Sequence, residues 1–331
     1  MANNNNPTLV DGSPNGGTTT SGNRNHSGKT GKFISANGSS NVDNTKKQPS
    51  FLAKKGTTPS FLTNNSNSNK QNSLYNNIKR ERWLKSGKLR TIDEIVDRIG
   101  DYIDEDVLAL HEKWGQKSQS NMGAPNTSHS YGNKPLLNAI ARKMFRPLRI
   151  LDTADFDMKM KLAQSVDNSD VPYSPDWGWA KRGFHNKDII KQYLGEEIIS
   201  DVLLPYGVYG SCVYSAYDGS TEKGYASGRN GYVMSYIIDH KKANVTNAYD
   251  AARKTQEFKN RISEVHSNLE KRLKELGKDD TYINNFKRVF DNNVRDATFV
   301  PLLLGYDCVY ETGSEYGLIL NFGNIYTKKD W

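Results

Sequence analysis

Hydrophobic residues recur at helical intervals in three segments between residues 91 and 144. Residues 92–99 read IDEIVDRI and place four apolar side chains on one helical face. Thr91 precedes this face and is followed three residues later by Glu94, which is the spacing of a capping box. Similar faces cover residues 107–114 and 135–144, and Pro135 opens the last of them. The pattern predicts three helices, with an interruption at Gly100 and a polar loop over residues 116–132.

The pattern changes after residue 144 to short apolar runs that are typical of strands. We predict strands over residues 145–150, 210–216, 232–238, 302–304, 308–310 and 316–320, and helices over residues 187–200, 248–276 and 282–290. Strands separated by helices of irregular length indicate an α+β domain and not a doubly wound sheet. The helix over residues 248–276 is largely charged, so we expect one solvated side and interpret residues 248–291 as a helical insertion.

Composition changes near residue 80. Residues 1–80 are rich in Asn, Ser, Gly and Thr and contain few large apolar residues. Burial there cannot offset a backbone ordering cost of roughly 1–2 kcal/mol per residue. We therefore predict a disordered tail over residues 1–80 and one folded domain over residues 81–331, with residues 81–133 as a helical lead-in.

Charge divides at the same position. Of the 45 lysines and arginines, ten lie in residues 1–80 against only two of the 37 acidic residues, so the remaining chain has 35 of each sign. The net charge of +8 therefore belongs to the tail and not to a folded basic face. Such a tail has two interpretations: it attracts nucleic acid or another acidic surface, or it only keeps the protein in solution.

The tail also contains a repeat, because residues 49–52 and 59–62 both read PSFL. Two apolar anchors in a polar segment can dock on a partner protein, and the second copy adds avidity. Duplication within a low-complexity segment explains the repeat equally well. The sequence leaves both explanations open.

Cysteines and histidines give no sign of a disulfide framework or a metal site. Cys212 and Cys308 have no zinc-like spacing, and no two histidines are paired at ligand spacing. We interpret both cysteines as small buried hydrophobic residues and expect no bound metal. The first residues lack a secretory signal pattern and no apolar run reaches 18 residues, so we expect a soluble protein with no signal peptide and no membrane span.

An aromatic pair marks the middle of the chain. Tyr214 lies in a predicted strand and Tyr225, eleven residues later, in what we predict to be a short helix. Two rings placed in this way can approach one flat heterocycle. They can equally well anchor the strand to the helix, and spacing alone favours that interpretation.

These segments carry a resemblance to a known fold. Residues 210–216 read GSCVYSA, Tyr225-Ala226 follows, and residues 231–234 read GYVM. This order resembles the central segment of the ADP-ribosyltransferase fold, which poly-ADP-ribose polymerases, diphtheria-type toxins and many bacteriophage enzymes share. Residues 314–316, which read SEY before an apolar strand, are similar to the Asn-Glu-Tyr strand of the polymerases, whose glutamate is catalytic.

Two further motifs extend the resemblance to roughly residues 134–331. Residues 303–307 read LLGYD, and Asn321 follows after the next strand. This order resembles the C-terminal signature of phage-encoded transferase domains, which are often attached to head proteins. Residues 145–147 read FRP and correspond to the first strand, where toxin-like members carry an aromatic-Arg-Gly motif. The resemblance implies an ADP-ribosyltransferase-like split β-sheet core.

The resemblance implies NAD as co-substrate and Glu315 as the catalytic residue. Cleavage of the nicotinamide–ribose bond develops oxocarbenium character on the sugar, which an ionised carboxylate stabilises. Arg146 would bind the diphosphate with its planar guanidinium, and Arg149 is the substitute if the first strand is shifted. Glu311 is a competing acid four residues before Glu315.

The central segment would hold the nicotinamide. By resemblance, Tyr214 and Tyr225 enclose the ring, Gly210 begins the segment, and Ser215 orients Arg146 or Glu315 through a hydrogen bond. The implied function is mono-ADP-ribosyl transfer from NAD to a protein acceptor by a phage-encoded protein of the virion or the host cytoplasm. The tail would then bind a virion or capsid partner.

Departures from the family pattern keep two other functions open. Pro147 replaces the family's glycine, no Ser-Thr-Ser triplet occurs on the central strand, and Gly313 lies two residues before Glu315. These departures suit a virion or internal head structural protein whose transferase-like scaffold is inactive. A nucleic-acid-associated protein acting through the basic tail is the other alternative.

Overall fold

The computed structural model describes residues 65–120, 134–184, 206–207, 210–217, 221–226 and 230–329. These residues lie within one compact unit, residues 63–331. The PSFL repeat, the helix predicted over residues 187–200 and most of the predicted tail lie outside the described residues.

Helices form the N-terminal part of the described chain. They are α1 (Asn65–Leu84), α2 (Ile92–Asp97), a 3-10 helix (Ile99–Tyr102), α3 (Glu105–Ser120) and α4 (Pro135–Met144). The predicted capping box at Thr91 is confirmed, since its side chain accepts from the backbone N–H of Glu94 while the Glu94 carboxylate accepts from the backbone N–H of Thr91. The apolar face of residues 92–99 is buried, as the periodicity predicts.

Helix α1 corrects the predicted boundary of the tail. It begins at Asn65, so residues 65–80 are helical where composition predicts disorder. The contacts that hold the helix lie near its end: the Trp83 ring meets the Tyr102 ring edge-on at 5.4 Å, and Arg80 pairs with Asp104 at 3.2 Å. Composition does not predict this helix, because the helix is stabilised by the tertiary contacts of its C-terminal end.

One mixed sheet forms the centre of the described molecule. The strands are β1 (Arg149–Leu151), β2 (Trp177–Phe184), β3 (Tyr206–Gly207), β4 (Gly210–Ser211), β5 (Val213–Ala216), β6 (Tyr232–Asp239), β7 (Val245–Asn247), β8 (Cys308–Glu311), β9 (Tyr316–Ile319) and β10 (Ile325–Lys328). Eight of them pair in the order β1-β10-β6-β2-β5-β9-β8-β7, while β3 pairs with β4. The edge pairs β1–β10 and β7–β8 are parallel and the others antiparallel.

Helices separate the strands at irregular intervals. They are α5 (Thr153–Gln164), a second 3-10 helix (Asn168–Tyr173), α6 (Thr221–Tyr225), α7 (Ala248–Asn260), α8 (Ile262–Glu275), α9 (Asp280–Val294) and α10 (Phe299–Leu304). The predicted long helix over residues 248–276 is therefore two helices, which divide at Arg261. Helices α7 and α8 both pack against α2, and α9 packs against α4.

One predicted strand is wrong, and another begins four residues later than predicted. Residues 302–304 end helix α10, which Gly305 closes in the left-handed conformation with φ +88°. Residues 302–304 are all buried, so apolar and polar positions do not alternate there. Without such a pattern, the sequence does not distinguish a helix from a strand. Residues 145–148 precede β1, because the backbone N–H of Arg146 donates to Asn321 Oδ1 and Pro147 has no N–H to give to a strand.

The sheet is almost divided between β2 and β5. Strand β2 pairs with β6 along its whole length, from Trp177 opposite Asp239 to Phe184 opposite Tyr232. Among the described residues, its pairing with β5 is limited to Lys181 opposite Ala216. Beyond that pair, the contact between the two strands is the bond from the Arg182 guanidinium to the carbonyl oxygen of Tyr214. This division positions the candidate site.

Candidate functional site

Arg182 lies at the point where β2 and β5 separate. It follows Lys181, the last residue of β2 that pairs with β5, and its guanidinium donates to the carbonyl oxygen of Tyr214 at 2.5 Å. Its Nε is buried and has no hydrogen-bond partner among the described residues. Arg182 thus reaches across the division with one N–H group still available.

Ser215 contributes a second buried polar atom from the neighbouring strand. It lies on β5 directly opposite Gly317 of β9 and is 2% exposed. Its Oγ has no hydrogen-bond partner within the described part of the chain. Most buried hydroxyls have a partner, so the Ser215 hydroxyl is available to a water or a ligand at the division.

Glu315 lies in the turn that leads into β9. Its carbonyl oxygen accepts from the backbone N–H of Tyr217 at 2.9 Å, which places it just beyond the β5–β9 ladder. Its carboxylate accepts a hydrogen bond from Asn168 Nδ2 at 3.4 Å. Two residue steps separate Tyr217 from Ser215, which is roughly 7 Å along a strand. The structure therefore brings Ser215 and Glu315 to the same end of the β5–β9 ladder.

The backbone of Glu315 is in the left-handed region, with φ +52°. A glutamate in this conformation costs roughly 1–2 kcal/mol relative to the right-handed region. Non-glycine residues in such conformations cluster at active sites and ligand clamps. The strain marks Glu315 independently of any motif.

Tyr214 lies on β5 with its ring half-buried against Tyr316, at 6.5 Å between ring centroids. Its hydroxyl donates to the carbonyl oxygen of Gly210 at 2.9 Å, which fixes the ring in place. Tyr225 is the last residue of α6, as the sequence predicts, and its side chain lies outside the described residues.

Gly210 occupies a position that requires glycine. Its φ is +110°, and a Cβ there would lie 2.5 Å from Oδ1 of Asp296. The Asp296 carboxylate accepts hydrogen bonds from the backbone N–H and Oγ of Ser211 and from the backbone N–H of Thr298. These bonds tie the start of the central segment to the N-terminus of α10.

The structure does not bring Arg146 to Glu315. The Arg146 guanidinium pairs with Asp307, which immediately precedes β8. Glu315 lies in the turn at the other end of the β8–β9 hairpin, whose ladder spans three residue steps or roughly 10 Å. The sequence predicts that Arg146 lies beside Ser215 and Glu315, and the structure does not place it there.

Arg149 is farther from the division. It is exposed on the edge strand β1, with its guanidinium 5.9 Å from the centroid of the Tyr326 ring. Five inter-strand steps separate β1 from β9, which is roughly 24 Å. Arg182 is the described arginine that the fold places at the division.

The LLGYD signature and Asn321 form a structural centre around Asp307. Burial is the main cause that raises the Asp307 pKa to about 6, and the Arg146 guanidinium opposes it. The second carboxylate oxygen accepts from the backbone N–H of Asn244 at 3.0 Å. Asn321 donates to the carbonyl oxygen of Met144 at 2.7 Å, so the signature joins the β8–β9 hairpin to the end of α4.

Sequence reasoning missed Arg182 and Glu222. Arg182 lies in the segment WGWAKRGF, whose two internal glycines and two charged residues give it weak strand character. Glu222 lies on α6, is 2% exposed, and its Oε2 has no partner in the described ranges. No sequence signal distinguishes this glutamate from a surface residue.

The remaining candidates are structural in character. Cys212 and Cys308 are free and fully buried, as predicted, and burial raises the pKa of both thiols. Glu311 ends β8 opposite Tyr316 and is half-buried. The part of the chain that the structure describes contains no group of three or more potential metal ligands. It also contains no helix with the length and apolar character needed to cross a membrane.

Comparison with known proteins gives no family for this chain. No family model, no curated protein and no solved structure matches it. The resemblance in the motifs stays a prediction.

Proposed function

We propose that this chain cleaves NAD at the nicotinamide–ribose bond and transfers ADP-ribose to a protein acceptor. The observation that carries the proposal is the placement of Arg182 and Ser215 beside the division between β2 and β5, with Glu315 at the adjacent end of the β5–β9 ladder. Two of these side chains present buried polar atoms without a described partner, and the third has a strained backbone. The division supports the split-sheet arrangement that the resemblance implies.

Glu315 is the residue that faces the chemistry. As the bond to nicotinamide breaks, positive charge grows on the ribose ring carbon and oxygen, and a carboxylate held nearby stabilises that charge. The hydrogen bond from Asn168 and the backbone bond to Tyr217 hold Glu315 in one orientation. A fixed carboxylate needs no rearrangement when the charge appears, which is the source of its catalytic effect.

Arg182 takes the role that the sequence assigned to Arg146. Its Nε–H is free to bind a diphosphate oxygen, whereas the Arg146 guanidinium is engaged by the buried Asp307. Arginine suits this role because its planar fork matches the geometry of anionic oxygens. Ser215, one residue beyond the carbonyl that Arg182 binds, can donate its free hydroxyl to the same ligand.

The nicotinamide would lie beside Tyr214. The ring of this residue is held by its bond to Gly210, and α6 with Tyr225 follows it in the chain. An aromatic wall favours the flat pyridinium ring through stacking and cation–π attraction. Neutral nicotinamide loses the cation–π part of this attraction, which favours its departure.

Release of nicotinamide from NAD tests the proposal. The native protein should release nicotinamide from labelled NAD and label protein in a bacterial lysate, and Glu315→Gln should lower the rate at least about 100-fold, as loss of a charge-stabilising group does. Glu311→Gln is the matched control, since Glu311 lies in the same hairpin and outside the proposed site. Absence of nicotinamide release from the native protein would favour the inactive scaffold. Loss of activity in Glu311→Gln alone would reject Glu315 as the catalytic residue in favour of Glu311.

A further inference from the structure

His240 joins two segments that lie far from it in the sequence. Its Nδ1 lies 2.7 Å from the carbonyl oxygen of Ser174, and its Nε2 lies 2.6 Å from the hydroxyl of Tyr310. A carbonyl oxygen can only accept, so Nδ1 carries a proton and donates it to Ser174. Nε2 of the neutral ring then accepts from the Tyr310 O–H, and both ring nitrogens are used.

The Tyr310 hydroxyl depends on this contact. Tyr310 is 1% exposed, and its ring meets the imidazole edge-on at 5.5 Å between ring centroids. Among the described residues, His240 Nε2 is the acceptor for this hydroxyl. Gly178 of β2 leaves the space for the contact, because a Cβ there would overlap both the Tyr310 hydroxyl oxygen and His240 Nε2.

Protonation of His240 would break the arrangement. A second proton makes Nε2 a donor, so it can no longer accept from Tyr310, and the buried hydroxyl loses its acceptor. The proton also places a charge on a half-buried ring. Burial accordingly lowers the pKa of His240 from its ordinary 6.5, against smaller opposing effects of the Ser174 bond and Asp239. With a lowered folded-state pKa, the stabilisation is present at neutral pH and is lost as pH falls below 6.5.

The charged groups around the ring do not favour an imidazolium. They form two ion pairs, Asp239 with Lys242 at 3.2 Å and Asp176 with Lys241. The backbone N–H of His240 donates to the carbonyl oxygen of Asp176 at 3.1 Å, which holds the ring close to this segment. The hydroxyl that faces the ring from β8 is neutral, because burial raises its pKa well above the ordinary value. Each neighbouring acid therefore already has its own cation.

The second 3-10 helix connects His240 to Glu315. Ser174 directly follows the last residue of this helix, whereas Asn168 is its first residue and donates to the Glu315 carboxylate at 3.4 Å. Six residues of a 3-10 helix span roughly 12 Å, and the poor geometry of its bonds gives such a helix little stability of its own. Its position therefore depends on the contacts at its ends.

We propose that His240 and Tyr310 form a pH-sensitive clamp that holds the second 3-10 helix, and with it Asn168 against Glu315, at neutral pH and releases it in acid. The proposal does not depend on the substrate of Glu315. Asp167 provides a separate attachment at the start of the helix, where its carboxylate accepts from the backbone N–H and the Oγ of Ser169. These bonds lower the pKa of Asp167 from its ordinary 3.8, so it titrates in more acidic solution than His240.

Hydrogen exchange of the full chain tests the clamp. The measurement is the protection factor of a peptide that covers residues 167–174, corrected for the intrinsic pH dependence of exchange. In the native protein it should fall at least about threefold from pH 7 to pH 5, because protonation of His240 favours the open state. His240→Asn keeps an N–H for Ser174 but does not titrate, so this fall should disappear. His266→Asn, which replaces a histidine bonded to Asp291, is the matched control and should keep the fall.

A protection factor that is the same at pH 7 and pH 5 in the native protein would overturn the clamp. The same conclusion would follow if the fall persists in His240→Asn or disappears in His266→Asn. If His240→Asn does not fold, Tyr310→Phe decides, because it removes the hydroxyl that protonation leaves without an acceptor. The fall should then become smaller, and an unchanged fall would reject the role of Tyr310.

Discussion

The guanidinium of Arg146 is ion-paired with the carboxylate of Asp307, a residue with no exposed side-chain surface. The two residues are 161 positions apart in the chain. Their pairing joins the segment before β1 to the start of β8, and it holds Arg146 away from the turn that contains Glu315. A basic residue that the sequence assigns to a ligand is therefore part of the folded framework.

Loss of Arg146 should destabilise the fold. Arg146→Met leaves the buried Asp307 without its cation, and removal of one partner of a buried pair costs about 3–5 kcal/mol. The measurement is urea unfolding followed by circular dichroism. Arg149→Met is the matched control, because Arg149 is exposed on the sheet edge and its stacking on Tyr326 contributes at most about 1 kcal/mol. Equal effects of the two substitutions would contradict the structural role of the pair.

Asp307 should make stability depend on pH between about 4 and 6. Burial raises its pKa from an ordinary 3.8 to about 6 in the folded protein, so the folded state binds the proton more tightly than the unfolded state. Stability from this group is therefore present below pH 4 and is lost as pH rises to 6, by about 1–3 kcal/mol.

Asp307→Asn removes this titration and provides the reference. The unfolding free energy of the native protein should fall relative to that of the variant as pH rises from 4 to 6. The comparison is needed because other acids act in the opposite direction, such as half-buried Glu270, whose pKa is lowered to about 2 by its bonds to Lys274 and Lys287. A difference that does not change with pH would refute the raised pKa.

Gly210 should not tolerate a side chain. Gly210→Ala forces an L-residue into φ +110° and brings its Cβ against Asp296, so we expect a loss of about 2 kcal/mol or more. Gly313→Ala is the control, because the nearest atom to a Cβ there is Glu311 Oε1 at 3.5 Å and the change should be within about 0.5 kcal/mol. Thermal unfolding of both variants measures the difference.

Arg182 should matter for NAD cleavage more than Arg146. Arg182→Lys keeps the charge but loses the planar fork, and we expect kcat/KM to fall about tenfold or more with little change in Tm. Arg149→Lys should have no effect on the rate. If Arg146→Lys lowers the rate at unchanged stability while Arg182→Lys does not, the assignment made from the sequence is the better one.

Replacement of Glu315 should abolish activity without lowering the stability of the fold. Glu315→Asn places a residue that tolerates the left-handed region at φ +52°, so we expect unfolding free energy to be kept or raised by up to about 1 kcal/mol. The same variant should lose NAD cleavage, because the amide carries no charge to stabilise the ribose. Reduced stability in the variant would show that the Glu315 side chain is needed for folding.

Local sequence patterns determined much of the secondary structure. Several elements are specified by side chains that lie close together in the sequence, within one or two helical turns or along one strand. They are the capping box at Thr91, the helix that begins at Pro135 and the strands β6, β8 and β9. The prediction that Glu315 precedes a strand is confirmed in the same way. These elements were predictable because their stabilising contacts lie close together in the sequence.

Long-range contacts decided what the sequence could not. Strand β2 has two internal glycines and charged residues, and it is a strand because β6 pairs with its whole length. Residues 302–304 form a helix because they are buried on all sides, where apolar character has no period. The sequence pointed to Arg146 and passed over Arg182. The ion pair of Arg146 with Asp307 and the bond of Arg182 to the Tyr214 carbonyl decided which arginine reaches the division.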